Sequence, residues 1–176
     1  MKPVALSLSA LAALALGLHA RPVPGATPAP AALHCQVPCG IYGDAMRIDM
    51  LMEDCATIEK GMGAITAMEG GKDKSENQMV RWVLTKDQHA AAIQEQVASY
   101  WLAQRIKAPA EAAGREKYLK QLELMHGITV AAMKCKQTTD PANVAKIREL
   151  ALAFSDTYFT SEDLEHIKGH RSGDAK

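Results

Sequence analysis

Nine residues, His34-Cys35-Gln36-Val37-Pro38-Cys39-Gly40-Ile41-Tyr42, carry most of the chemistry this chain can offer. An imidazole and two thiols fall within the six positions His34 to Cys39. Thiolate sulfur and imidazole nitrogen are soft to borderline donors suited to late first-row metals, and sulfur and nitrogen in one plane suit Ni(II) or Cu(II). Mg(II) and Ca(II) prefer oxygen. Pro38 has no N–H and a fixed φ, which helps turn the chain between the thiols. Gly40 tolerates a tight backbone path. In an exported chain a C-x-x-x-C pair also reads as a small disulfide loop. Tyr42 reads equally as a packing side chain or as a cover for a site.

The stretch as a whole resembles the nickel hook of nickel superoxide dismutases, H-C-x-x-P-C-G-x-Y. Every fixed position of that pattern is filled, by His34, Cys35, Pro38, Cys39, Gly40 and Tyr42. The resemblance implies a leader cut immediately before His34. His34 then supplies the new terminal amine and an axial imidazole, Cys35 its amide nitrogen and sulfur, and Cys39 its sulfur, to one nickel per subunit. It implies Tyr42 as a gate over the open face. The implied reaction converts superoxide to oxygen and hydrogen peroxide by Ni(III)/Ni(II) cycling. The implied fold is an all-α, antiparallel four-helix bundle behind the hook, assembled as a homohexamer. A weaker likeness runs on to about Phe159, through Asp140-Pro141-Ala142 and through a second helix with Trp101 twelve residues past His89. In the family a glutamate and an arginine steady the axial histidine. Here Asp49 stands at the first place and His89 at the second, and both are departures: a shorter carboxylate, and a side chain whose charge varies near neutral pH.

The elements that must position the hook are helical. Ala, Leu, Met, Gln, Glu and Lys are plentiful and aromatics make up only 5%, a helix-forming composition. The first predicted helix runs from about Ala45 to Glu69, with Asp44 as N-cap and Gly70-Gly71 as its stop. Leu51, Cys55, Ile58, Met62 and Ile65 share one face at three- and four-residue steps. The second starts at Ser75, with Gln78 completing a capping box, and ends before Pro109. Its stripe is Met79, Val83, Ala90, Ile93, Val97 and Tyr100. The third covers about Glu111 to Lys136, with Tyr118, Leu122, Met125 and Ala132 facing inward. The fourth opens at Asp140-Pro141, cap then first-turn proline, and carries Val144, Ile147, Ala151, Phe154 and Tyr158. Ser161 to Lys168 adds a short turn. The bundle thus spans 43–168, with 169–176 as a frayed tail. Cys55 reads as a buried apolar thiol, and Cys135 as free or paired between subunits. A disulfide joining them is disfavoured by a difference in height along parallel helices. The methionines Met46, Met50, Met52, Met62 and Met68 read as core or interface packing rather than as a copper surface. His126, His166 and His170 form no tight metal pattern.

Upstream, Val4 to Leu18 is an uncharged apolar run behind Met1-Lys2, too short for an ordinary membrane span, and reads as a secretory signal peptide over 1–20. Residues 21–33 form a Pro/Ala-rich propeptide or linker. This predicts export to the periplasm or medium and a further cut between Leu33 and His34 by a leader-cleaving protease. The alternative is a cytoplasmic protein whose leader acts only as a propeptide. Positive and negative residues balance, 20 against 20, which leaves no electrostatic footprint for nucleic acid. No stable membrane anchoring is expected once the leader is removed. The competing function is an exported nickel or copper carrier without turnover. A third reading is an assembly bundle with a Cys35–Cys39 disulfide.

Overall fold

The computed structural model describes Pro38, Gly40, residues 42–71, 75–161 and Leu164. The chain divides into two units, 1–33 and 34–176, and all described residues lie in the second. The leader, the linker, His34, Cys35, Cys39, His166, His170 and the tail fall outside the described residues.

Among the described residues the chain is all helix: α1 (Asp44–Glu69), α2 (Glu76–Gln96), a π-helix (Val97–Arg105), a 3-10 turn (Ala112–Gly114), α3 (Arg115–Gln137) and α4 (Ala142–Tyr158). The helices form a four-membered bundle in which α1 packs on α2 and α4, and α3 on α2 and α4. Contacts between neighbours run in opposite senses, as an antiparallel bundle requires. Gln96 and His89 of α2 reach Arg47 and Asp54 of α1 in turn. Lys86 and Gln94 reach Cys135 and Thr129 of α3. Among the described residues no helix is long and apolar enough to cross a membrane.

The expected stripes form most of the core. Leu51, Cys55, Ile58, Met62, Ala90, Ile93, Val97, Met125, Ala132, Val144, Ile147, Ala151 and Phe154 are all buried. Val83 is a correction: it is exposed. The α2 stripe passes instead through buried Lys86, whose ammonium meets the end of α3. Met62 and Met68 are buried as expected, while Met46 and Met50 face solvent.

Several helix ends match their sequence signals. Ser75 Oγ accepts from the Gln78 N–H at 3.4 Å. After α1 the chain turns at Gly71, whose φ of 86° suits glycine. Asp140 Oδ1 accepts the Ala142 N–H at 2.9 Å at the start of α4. The start of α1 differs. Gly43 is the cap position, Asp44 is the first helical residue, and no side chain caps the end. The Asp44 carboxylate is taken up by side chains 56 to 114 residues further along the sequence.

Cys55 and Cys135 are free and buried, but height is not what separates them. Lys86 reaches the Cys135 carbonyl while His89, less than one turn further along α2, reaches Asp54 beside Cys55. The two cysteines therefore lie at similar heights. They sit on α1 and α3, which face one another across the diagonal of the bundle, whereas a disulfide requires Cα atoms about 4.4–6.8 Å apart.

Candidate metal centre

The described end of the motif, Gly40 and Tyr42, leads into α1 and meets side chains of the π-helix. Gly40 adopts φ 80°, left-handed backbone that glycine enters without the Cβ penalty of other residues. Tyr42 then lies two residues before α1, with its ring 38% exposed. The Arg105 guanidinium stands 4.1 Å above the Tyr42 ring centroid. The Tyr100 ring meets Tyr42 edge-on, 5.9 Å between centroids.

Asp44 ties this corner together. Arg105 donates to it as a fork, Nε to Oδ1 at 2.8 Å and Nη2 to Oδ2. Tyr100 donates its hydroxyl to Oδ1, and Tyr158 of α4 donates to Oδ2 at 2.9 Å. One carboxylate therefore joins α1, the π-helix and α4. Burial pushes the Asp44 pKa up. The hydrogen bonds from Arg105, Tyr100 and Tyr158 outweigh that and hold it below the ordinary carboxylate value. Burial, and then the Asp44 carboxylate, push the Tyr158 phenol up to about 12, so it stays a donor at neutral pH.

The π-helix makes this possible. Tyr100 and Arg105 are five residues apart, which in an α-helix places them about 140° apart around the axis. In a π-helix each N–H bonds to the carbonyl five residues back, as Ile106 does to Trp101 at 2.8 Å. Residues five apart then stack on one side, and Tyr100 and Arg105 both reach Asp44. The aromatic side chains concentrate behind them. Tyr100 meets Trp101 edge-on at 5.0 Å, and Trp101 meets Phe154 and Tyr158 at 5.0 and 5.2 Å. With Tyr42 and Phe159 these make six of the eight aromatics in the chain.

Of the expected site residues, the structure describes Tyr42, Asp49 and His89. Asp49 is half-buried on α1. His89 Nδ1 lies 2.7 Å from Asp54 Oδ1. Asp54 is five residues beyond Asp49, about 7.5 Å along α1. The contacts of either residue with His34 fall outside the described residues. The Asp44–Arg105–Tyr100–Tyr158 cluster had no sequence signal of its own, because its members are up to 114 residues apart. Only the stripe position of Tyr100 and Tyr158 and the place of Asp44 behind the hook pointed toward it.

Among the described residues no group of three or more His, Cys, Asp or Glu could hold a metal ion. The two core thiols are poor donors. Burial pushes Cys55 up to about 12 and Cys135 up to about 11, so both are protonated at neutral pH, whereas a metal takes thiolate.

A family model for nickel-containing superoxide dismutase matches residues 29–162, the greater part of the chain. No curated protein and no solved structure matches.

Proposed function

We infer the function from one premise: this chain belongs to the nickel-containing superoxide dismutase family. It is therefore an enzyme, an oxidoreductase acting on superoxide, with nickel as its cofactor. The proposal concerns how its own residues serve that reaction.

The donors of the hook fit nickel by their chemistry. His34, Cys35 and Cys39 offer two sulfurs and, after a cut before His34, a terminal amine, an amide nitrogen and an imidazole, a set that suits a late first-row metal. The supporting observation is that the family match over residues 29–162 takes in every fixed position of the motif, His34, Cys35, Pro38, Cys39, Gly40 and Tyr42. Nickel held by these residues would supply one-electron exchange, Ni(III) against Ni(II), for a reaction in which one superoxide is oxidised to oxygen and a second, with two protons, is reduced to hydrogen peroxide.

The chain's own residues do the rest. The thiolates must be anionic to bind, so the hook has to remain unprotonated where Cys55 and Cys135 do not. They also need shielding from the peroxide product, which oxidises thiolates. Tyr42, held between Arg105 and Tyr100, is proposed to cover the approach to them. Asp49 and His89 are proposed to steady the His34 imidazole, with Asp54 orienting the His89 ring. Export, removal of the leader by a protease and assembly into a homohexamer complete the proposal.

The test compares nickel-loaded protein beginning at His34 with the same protein carrying Leu33 ahead of it. High superoxide dismutation in the first alone supports the terminal-amine centre. Equal nickel binding with turnover in neither overturns it and supports a metal carrier. Cys35→Ser or Cys39→Ser in the active form is expected to abolish activity.

A further inference from the structure

The geometry points to Arg105 as the positioning residue that holds Tyr42 at the end of the hook motif, acting as a planar clasp rather than as a charge that steers superoxide. This rests on the proposed role of the hook and extends it to a residue outside the hook motif.

Arg105 and Tyr100 both touch Tyr42 and Asp44, and of the two only Arg105 lies over the face of the Tyr42 ring. Its guanidinium plane covers the Tyr42 ring at 4.1 Å, and its Nε edge forms the fork to Asp44. The fork locks the plane, because two parallel hydrogen bonds to one carboxylate fix its direction. Asp44 is itself locked by the Tyr100 and Tyr158 hydroxyls, and Tyr100 closes the far edge of Tyr42. Tyr42 therefore cannot turn without breaking either the cation–π contact or the edge contact. The hook has no other tether of this kind among the described residues.

The same contacts argue against steering. The Asp44 carboxylate lies directly on the guanidinium and is ionised at neutral pH. The pair is neutral overall and offers little field to a distant anion. What Arg105 contributes is shape, a rigid plate with a fork along one edge, which lysine does not share.

The experiment uses the mature, nickel-loaded protein from His34 in four forms: wild type, Arg105→Gln, Arg105→Lys and Arg148→Gln. Arg148 is the matched control. It pairs with Glu59 at 2.8 Å and is comparably shielded, away from the hook. Two quantities are read: hydrogen exchange of the backbone amides over residues 38–46, and kcat/KM for superoxide at low and high salt. Arg105→Gln is expected to speed exchange and to lower kcat/KM, each by about tenfold, the size of a partly shielded cation–π contact. Arg105→Lys is expected not to restore either, and the loss is expected to be independent of salt. Arg148→Gln is expected to leave both unchanged. Exchange in Arg105→Gln equal to wild type overturns the proposal. So does full rescue by Arg105→Lys with a salt-dependent kcat/KM, which would make Arg105 a steering charge. An inactive wild type would instead refute the proposed function, and the exchange data would still decide the clasp.

Discussion

Asp44 shows how a single side chain can be read correctly for type and wrongly for role. An aspartate at the start of a helix is a natural cap, yet its oxygens here accept from Arg105, Tyr100 and Tyr158 instead. The consequence is a pH dependence with a definite sign. The folded-state pKa of Asp44 lies below its ordinary value of 3.8. Its contribution to stability is therefore fully present above that value and is lost as pH falls below it, where the unfolded chain binds the extra proton. Tyr158 acts at the other extreme. Its folded pKa is raised from 10.0 to about 12, so stability falls as pH climbs through that interval. Asp44→Asn is expected to cost about 1–3 kcal/mol at neutral pH and to flatten the acid limb. Tyr158→Phe is expected to flatten the alkaline limb. Urea midpoints measured from acid to alkaline pH check both. A mutant curve parallel to wild type at its own extreme would refute that assignment.

At the scale of the helix, Lys86 is the element that hydropathy alone misplaces. It lies in register with Ala90, Ile93 and Val97 and is buried with them. Its Nζ donates to the Cys135 and Lys136 carbonyls at 2.6 and 2.9 Å and to Asp87 at 2.8 Å. The last carbonyls of a helix lack intrahelical partners, and a cation there also opposes the negative end of the dipole. Lys86→Met keeps the length and removes the donors. It is expected to destabilise by about 2–3 kcal/mol, seen as a lower urea midpoint at unchanged slope. An unchanged midpoint would show that the α3 end does not depend on this lysine. The same element shows what was legible. Three- and four-residue spacing located four helices and most of the core, because burial of an apolar face imposes that period, but it passed over the buried Ile48, Trp101, Leu124 and Ile128. The π-helix was not legible. Val97–Arg105 has ordinary helix-forming residues, and read as an α-helix it sends Tyr100 and Arg105 to different sides. The wider winding is held by tertiary contacts that meet only in the folded chain. The hook motif stands out in the sequence for the opposite reason: its proposed donors lie within a few residues of each other, so their chemistry is written locally.

At the scale of the molecule, a nine-residue hook at the proposed cut terminus would not hold itself, since free chain ends are poorly ordered unless tied down. The bundle supplies one tether at Tyr42, through Arg105 and Tyr100, and the proposed homohexamer would supply the rest. The bundle also has a surface that favours association. Val80 and Leu84, one turn apart on α2, are 57% and 54% exposed, with Val83 between them also exposed. Apolar side chains gathered on one face of a soluble helix mark an interaction surface. Mature protein is therefore expected to sediment well above the mass of one chain. Leu84→Glu, which places a charge in that face while leaving the helix core untouched, is expected to lower the sedimenting mass at unchanged helicity. If the hook relies on its neighbours, the same variant should also speed amide exchange over residues 38–46 and lower superoxide dismutation in step with the loss of mass. Retained mass would clear α2 of any part in assembly. Lost mass with full activity and unchanged exchange would mean that each bundle orders its own hook, and the Arg105 clasp would then carry that task alone.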